Sequence, residues 1–262
     1  FKYIKELLFI VVNKLAKRII SVLTINDGVL YRTKLFKPDY RYTANFVDSW
    51  SIDEIIILDI TRNREIKQKR IFYRFLEKFS ENCFVPLTVG GWIKSIHDVR
   101  DLMKIGADKV SVNTEAYESP NLLTTISEKY GTQALVISVD TKLVNKKYKV
   151  VINQGKTLTN KNPFEWAKLC EKKGAGEILI NSVEKDGWLQ GYDLNLLRKV
   201  KLEVNIPVIG LGGCGNWQHM YEAFDSAKID AVATQNIFHF TEQSIKSAKS
   251  FLKGKNIVIR DC

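Results

Sequence analysis

Apolar, β-branched runs recur along the chain and are separated by stretches whose apolar positions return every three or four residues. The runs are Arg18–Ile25, Glu54–Ile60, Val85–Gly90, Lys109–Asn113, Ala134–Asp140, Glu177–Ser182, Pro207–Gly212 and Ala231–Gln235. Each is nearly continuous in apolar character, as expected of parallel strands covered on both faces. Helical patterns lie between and after them at Arg70–Phe79, Ile96–Ile105, Pro120–Tyr130, Pro163–Lys173, Leu194–Val200, Asn216–Ala227 and Thr241–Leu252. Strand alternating with helix in this way predicts an α/β fold that closes as a TIM (β/α)8 barrel rather than an open sheet. One segment departs from the rhythm. Lys147–Thr157 alternates polar and apolar residues and ends in a turn signal, which predicts a β-hairpin inserted after the fifth strand.

The pattern also repeats. VPLTVGGWIKSIHDVRDLMKIGADKVSVNT, from Val85 to Thr114, returns in altered form from Ile206 to Phe238. The offset is roughly 120 residues, about half of such a barrel, so the chain reads as two fused half-barrels. In each copy an apolar strand runs into Gly-Gly, a helix follows, and a second strand ends in a polar residue. This layout puts every Gly-Gly and every polar strand end on the face where such barrels carry their sites.

Composition fits one domain. With 262 residues, 45% hydrophobic content and five prolines, the chain can bury a full core. Residues 14–262 are assigned to the barrel. Residues 1–13 are expected to be an N-terminal extension or an incomplete leader, because the apolar run Leu7–Val12 is too short to span a bilayer and has no small-residue cleavage site. Cys83, Cys170, Cys214 and Cys262 are far apart, with no C-x-x-C and no histidine at zinc-ligand spacing. They read as reduced thiols of a cytoplasmic protein, with no structural metal. No dinucleotide fingerprint or Walker loop is present, so no cofactor is implied.

The net charge of +11 changes the picture only slightly. The lysines are scattered over helices instead of forming aromatic-interleaved basic tracts, and no nucleic-acid module appears, so nucleic acid and membrane are excluded as partners. A positive field suits anionic small substrates.

Candidate chemistry collects at both ends of the barrel. At the strand C-termini lie Asn26 and Asp27, Asp59, Thr88, Asn113 and Thr114, Asp140, Asn181, Asp186, Gly212 and Gly213, and Gln235 and Asn236. Singly, several have ordinary readings: Asp27-Gly28 and Asp186-Gly187 are turn dipeptides, and Asp59 fits a helix cap. Together on one face they make an active site. At the strand entrances stand Arg18, Glu54, Lys109 and Glu177. Unpaired charge in a packed floor costs several kcal/mol, so two cations and two anions are expected to neutralise one another in a ring, a polar gate into the barrel axis.

The blocks LAKRII, DEIIILDIT, TVGGWI, GADKVSVNT, KKGAGEILI, DGWLQGYD, GLGGCG and IFHF follow one another in the order of a known family. From about Lys14 to Arg260 the chain resembles the cyclase subunit of imidazole glycerol phosphate synthase, the HisF family. The resemblance implies a glutaminase partner (HisH-like) on the barrel floor, docking at Asp108, and ammonia passing the gate of Arg18, Glu54, Lys109 and Glu177. It also implies Asp140 as one of two catalytic aspartates. The other position holds Thr24, whose hydroxyl cannot shuttle protons near neutral pH. Loss of such a group typically costs on the order of 10²–10⁴ in rate. Asp27, three residues on, is the expected substitute if the backbone rearranges. Asp59 and Asn181 are expected to orient.

The phosphate cradles implied by the resemblance are altered as well. One has Trp92 after Gly90 and Gly91, with Asn113 and Thr114 kept. The other keeps Asp186, Gly187, Gly212 and Gly213 but ends in Gln235-Asn236. Trp92 and Trp188 are candidates to stack on a sugar or base. A kept gate with a changed face is similar to a paralogous branch that, with a glutaminase and a third amidotransferase-like protein, amidates an acetamido sugar for surface polysaccharide. The alternatives are the histidine-pathway cyclase itself and a non-catalytic ammonia-channel scaffold.

Overall fold

Alternation along the first strand sets the whole architecture. In the computed structural model, which describes residues 16–42, 52–235 and 245–261, Ile19, Leu23 and Ile25 join one core. Their neighbours Ile20 and Val22 join another. Successive side chains of a strand point to opposite faces, so one strand serves two cores, one inside the barrel and one between barrel and helices.

Eight parallel strands close the barrel: β1 (Arg18–Asn26), β2 (Glu54–Asp59), β3 (Leu87–Gly90), β4 (Lys109–Val112), β5 (Leu135–Val144), β6 (Glu177–Ser182), β7 (Val208–Leu211) and β8 (Ala231–Thr234). Each pairs with the next, and β8 returns to β1 with Ala231 opposite Arg18. This is the expected TIM barrel. The intervening helices are set by local chemistry. The helix Ile96–Ile105 starts at a capping box between Ser95 and Asp98 and stops at Gly106, which takes φ 118°. Asn162 caps Pro163–Lys172, whose first residue is a proline that loses no hydrogen bond there.

The inward residues form layers along one axis. At the strand entrances stand Arg18, Glu54, Lys109 and Glu177. Ile20, Val22, Ile56, Val136, Leu179 and Ile209 fill the middle. Polar positions follow at the exits: Thr24, Ser111, Ser138, Asp140 and Asn181. The same period of two therefore carries the chain from charged floor to apolar bore to polar mouth. Thr24 lies six residues beyond Arg18 on β1, about 20 Å along an extended strand.

Two hairpins stand at the mouth. Strand β5 runs past the barrel and pairs antiparallel with Lys147–Ile152, which in turn pairs with Thr157–Leu158, so the inserted hairpin is present. A second hairpin, Val29–Lys34 with Lys37–Tyr42, leaves β1 directly through the turn Asp27-Gly28. Sequence periodicity did not predict it. The first helix also begins earlier than expected, at Ile66. Residues 1–13, Asn236 and the first turn of the predicted helix Thr241–Leu252 lie outside the described residues. Among the described residues, no helix is long and apolar enough to cross a membrane.

Candidate active site at the strand C-termini

A cavity of about 770 Å³ opens at the polar end of the barrel. Thr24, Asp59, Asn113, Thr114, Asp140 and Asn181 line it, together with Gly90, Gly91, Trp92 and Gln235. Residues from β1 to β6 are thus brought to one chamber, as their places at strand ends predicted. The inserted hairpin roofs it: Gln154 Nε2 donates to the carbonyls of Ile60 and Thr61 at 3.2 and 3.0 Å, and Asn153 N donates to Thr114 Oγ1 at 3.0 Å.

Asp140 is the titratable centre of the chamber. Asn113 Nδ2 donates to its Oδ2 at 3.1 Å, and Asn181 stands opposite it across β5 and β6. Burial pushes the Asp140 carboxyl up to about 7; hydrogen bonding from Asn181 and Asn113 opposes that push, and the charge of Asp186 adds to it. A carboxyl poised there exchanges protons at neutral pH. Thr24 offers nothing comparable. It is buried, and its hydroxyl donates to the backbone carbonyl of Tyr31 across the β1–hairpin pair. Asp27 lies apart from it. Asp27 is exposed in the turn at φ 50°, holds Thr61 Oγ1 through its own N–H at 2.8 Å, and does not line the cavity. Taking over would need the backbone to shift, and the Asp27-Gly28 turn is held by the hairpin it starts.

Asp59 and Trp92 occupy the side of the chamber at the end of β2 and β3. Asp59 Oδ1 accepts from Thr61 N at 2.7 Å, and Arg64 Nη1 lies 3.9 Å from the same oxygen. Burial raises the Asp59 carboxyl above its usual range, against the Trp92 indole, Thr61 and Arg64. Trp92 takes φ 62°, a left-handed backbone, with the Arg64 guanidinium 4.5 Å from its ring centre.

The second cradle is filled by the chain itself. Asp186, Gly187, Gly212 and Gly213 line a separate recess of only about 20 Å³, closed by Thr33 of the first hairpin. Thr33 Oγ1 donates to Asp186 Oδ1 at 2.9 Å, Phe36 N donates to Asp186 Oδ2 at 2.9 Å, and Thr33 N donates to Gln235 Oε1 at 3.1 Å. Trp188 belongs to neither cavity; it is exposed and lies under Lys34 Nζ, 4.0 Å from its ring centre. A stacking role for it is not supported, whereas Trp92 faces the chamber.

At the floor the four entrance charges do form a ring. Arg18 Nη1 lies 2.5 Å from Glu54 Oε1 and 3.0 Å from Glu177 Oε1, and Lys109 Nζ lies 3.1 Å from Glu54 Oε2 and from Glu177 Oε1. Burial opposes the charge on Glu54, yet Arg18 and Lys109 hold its carboxyl below the usual range. Burial likewise opposes the charge on Arg18, which Glu177 and Glu54 keep above its ordinary value. Glu177 Oε2 is buried without a hydrogen-bond partner among the described residues. Asp108, beside Lys109, is exposed and accepts from Leu87 N at 2.8 Å.

Residues 19–244 match the family model described as "Histidine biosynthesis protein". Curated relatives named "Imidazole glycerol phosphate synthase subunit HisF" match as well. That of Chlorobium phaeobacteroides (strain BS1) is 41% identical over 252 residues, 94% of this chain and 99% of the relative. Those of Chlorobaculum parvum and Chloroherpeton thalassium are 41% and 40% identical over the same shares. The chain belongs to the HisF family.

Within that HisF-type barrel, several residues at the chamber were not singled out from sequence. Arg64 follows β2 in a loop with no motif of its own, and its position over Trp92 is a tertiary fact. Thr33 and Phe36 were missed together with their hairpin, although Asp27-Gly28, both residues at positive φ, is the dipeptide that starts tight hairpins. Gln154 and Lys156 reach the cavity because the predicted hairpin folds over it.

Proposed function

We propose that this HisF-family chain is the ammonia-using synthase subunit of a glutamine amidotransferase complex in the cytoplasm, and that its substrate is an acetamido sugar destined for surface polysaccharide. The observation that carries this reading is Thr24. In place of an acid it presents a hydroxyl already donated to Tyr31, so ring closure of the imidazole type lacks one of its two proton-transfer groups.

The remaining parts suit ammonia delivery. A HisH-like glutaminase would dock on the floor around Asp108 and release ammonia at the Arg18–Glu54–Lys109–Glu177 ring. A small neutral molecule would cross the apolar middle layer without needing charge compensation. At the mouth it attacks an activated carbon. As the C–N bond forms, the activating group departs with the bonding electron pair and the new cationic nitrogen gives a proton to Asp140. At a pKa of about 7, part of Asp140 is carboxylate at neutral pH and can take that proton. Asn113 and Asn181 hold the carboxyl in place. A third, amidotransferase-like protein would supply the activated substrate.

A second reading, the histidine-pathway cyclase, is favoured by the likeness to HisF relatives over 94% of the chain. One assay separates the two. The purified barrel is given the histidine-pathway ribonucleotide with excess ammonium at alkaline pH, which removes any need for a glutaminase. Turnover at an enzymic rate overturns the sugar reading. No turnover from folded protein, together with amidation of an activated acetamido sugar that Asp140→Asn abolishes, establishes it.

A further inference from the structure

The glycine turns of the two half-barrels share a backbone. After β7, Gly212 and Gly213 take consecutive left-handed conformations, φ 93° and 98°, as Gly91 and Trp92 do after β3, φ 109° and 62°. Turns of this kind can gather backbone N–H groups around a concavity that suits an anion. Gly212 and Gly213 nevertheless line a recess of only about 20 Å³, room for about one water molecule and too little for a phosphate. The chamber beside it measures about 770 Å³. Thr33, Leu211 and Gln235 line both, so these three residues are the wall between them.

Leu211 belongs to the apolar bore, which leaves Thr33 and Gln235 as the polar part of the wall. They are locked together. Gln235 Oε1 accepts from Thr33 N at 3.1 Å and lies 3.0 Å from Thr33 Oγ1, whose proton goes to Asp186 Oδ1 at 2.9 Å. The hairpin tip then wraps Asp186: Phe36 N donates to its Oδ2 at 2.9 Å, and Leu35 N donates to its carbonyl at 3.2 Å. Arg62 Nη2 donates to the Phe36 carbonyl at 3.0 Å. Gln235 follows β8 and Asp186 follows β6, so the hairpin is fastened on both sides of the recess. Thr33 and Asp186 are buried, and a buried polar network in which each donor has its acceptor holds one arrangement firmly.

We propose that Gln235 is a specificity-determining residue: with Thr33 it walls the second glycine turn off from the chamber, so the end of the substrate that lies against β7 and β8 carries no phosphate. On the chamber side the wall offers uncharged groups. A phosphate pressed against it would be kept from the backbone N–H groups beyond and left short of donors, whereas a neutral hydroxyl or amide loses nothing of the kind. This deepens the sugar reading above and rests on it only for the substrate's identity. A sugar with an uncharged end fits a chamber walled at one end; a substrate with a phosphate at each end does not.

The test uses no substrate. Inorganic phosphate is titrated into the protein while the backbone amide resonances of Gly187, Gly212 and Gly213 are followed in nitrogen-15 spectra. In the parent they are expected to stay still. In Gln235→Ala, and more so in Gln235→Ala combined with Thr33→Ala, they move saturably, with phosphate bound about tenfold tighter or more. Saturable movement in the parent, or none in either folded variant, overturns the proposal. Gln235 is half-buried at the end of β8, so Gln235→Ala decides the matter alone where the double variant fails to fold. A protein that passes but amidates no acetamido sugar refutes the functional reading alone. One that amidates the sugar yet binds phosphate at these glycines refutes this inference alone.

Discussion

Asn113 reaches from the end of β4 to Asp140 on β5 and donates a hydrogen bond of 3.1 Å to its carboxylate. That bond favours the charged form, whereas burial favours the neutral one and prevails, leaving Asp140 at about 7. The sign of the linkage follows. A carboxyl whose folded value exceeds its unfolded value of 3.8 favours the native state when protonated. That contribution is fully present below pH 3.8 and is lost as pH rises through about 7. Asp140→Asn is expected to be more stable than the parent above pH 7, by no more than a few kcal/mol because the group borders solvent in the cavity, with no gain at pH 3.5. Urea unfolding at the two pH values checks it, and an equal effect at both contradicts it.

Glu54, like Glu177, touches both floor cations, with Arg18 at 2.5 Å and Lys109 at 3.1 Å. Glu54→Gln leaves one net positive charge in a buried ring and is expected to destabilise the barrel by about 3 kcal/mol. Replacing Arg18 and Glu54 together by apolar residues of similar size should cost less than Glu54→Gln alone. A chemical-denaturation series tests the order; a double variant weaker than the single one would show that the ring stabilises by more than charge balance.

Gly187 sits against the first hairpin, where an added Cβ would meet Thr33 O at 2.6 Å and Lys34 Cα at 2.8 Å. Its φ of 75° adds strain for any side chain. Gly187→Ala is expected to lower stability by about 1–2 kcal/mol and to lift the hairpin from Asp186. Faster amide exchange at Thr33 and Phe36, whose N–H groups bond Gln235 and Asp186, is the readout. Unchanged protection there means the contact is not what holds the hairpin down.

Thr24→Asp places a carboxylate against the carbonyl of Tyr31, acceptor facing acceptor, in a buried position. A loss of about 2–4 kcal/mol is expected, with no new turnover of the histidine-pathway ribonucleotide. A stable variant that gains such turnover would favour the cyclase reading.

The barrel was legible because its signal is redundant: eight apolar runs, a half-length repeat and matched glycine pairs all agree on one closed sheet. The floor ring was legible for a simpler reason, since charge at the entrance to a buried strand has few solutions. The mouth was less so. Asp140, Asn113 and Trp92 were found at strand ends, but the hairpin that holds Asp27 was missed because its turn dipeptide was read alone. Arg64 and Thr33 carry no local pattern; each matters only through a residue far away in the chain, Trp92 in one case and Asp186 in the other. Periodicity reports which face a residue occupies, not what crosses from a neighbouring loop.

Because the turns at residues 91–92 and 212–213 share one backbone, the molecule carries the same handle twice. Neither copy is left bare here: one carries an indole in the turn itself, and the other lies under Thr33 of the first hairpin. The two ends of the mouth are thus remodelled by different means, one by a substitution within the turn and the other by a loop laid over it.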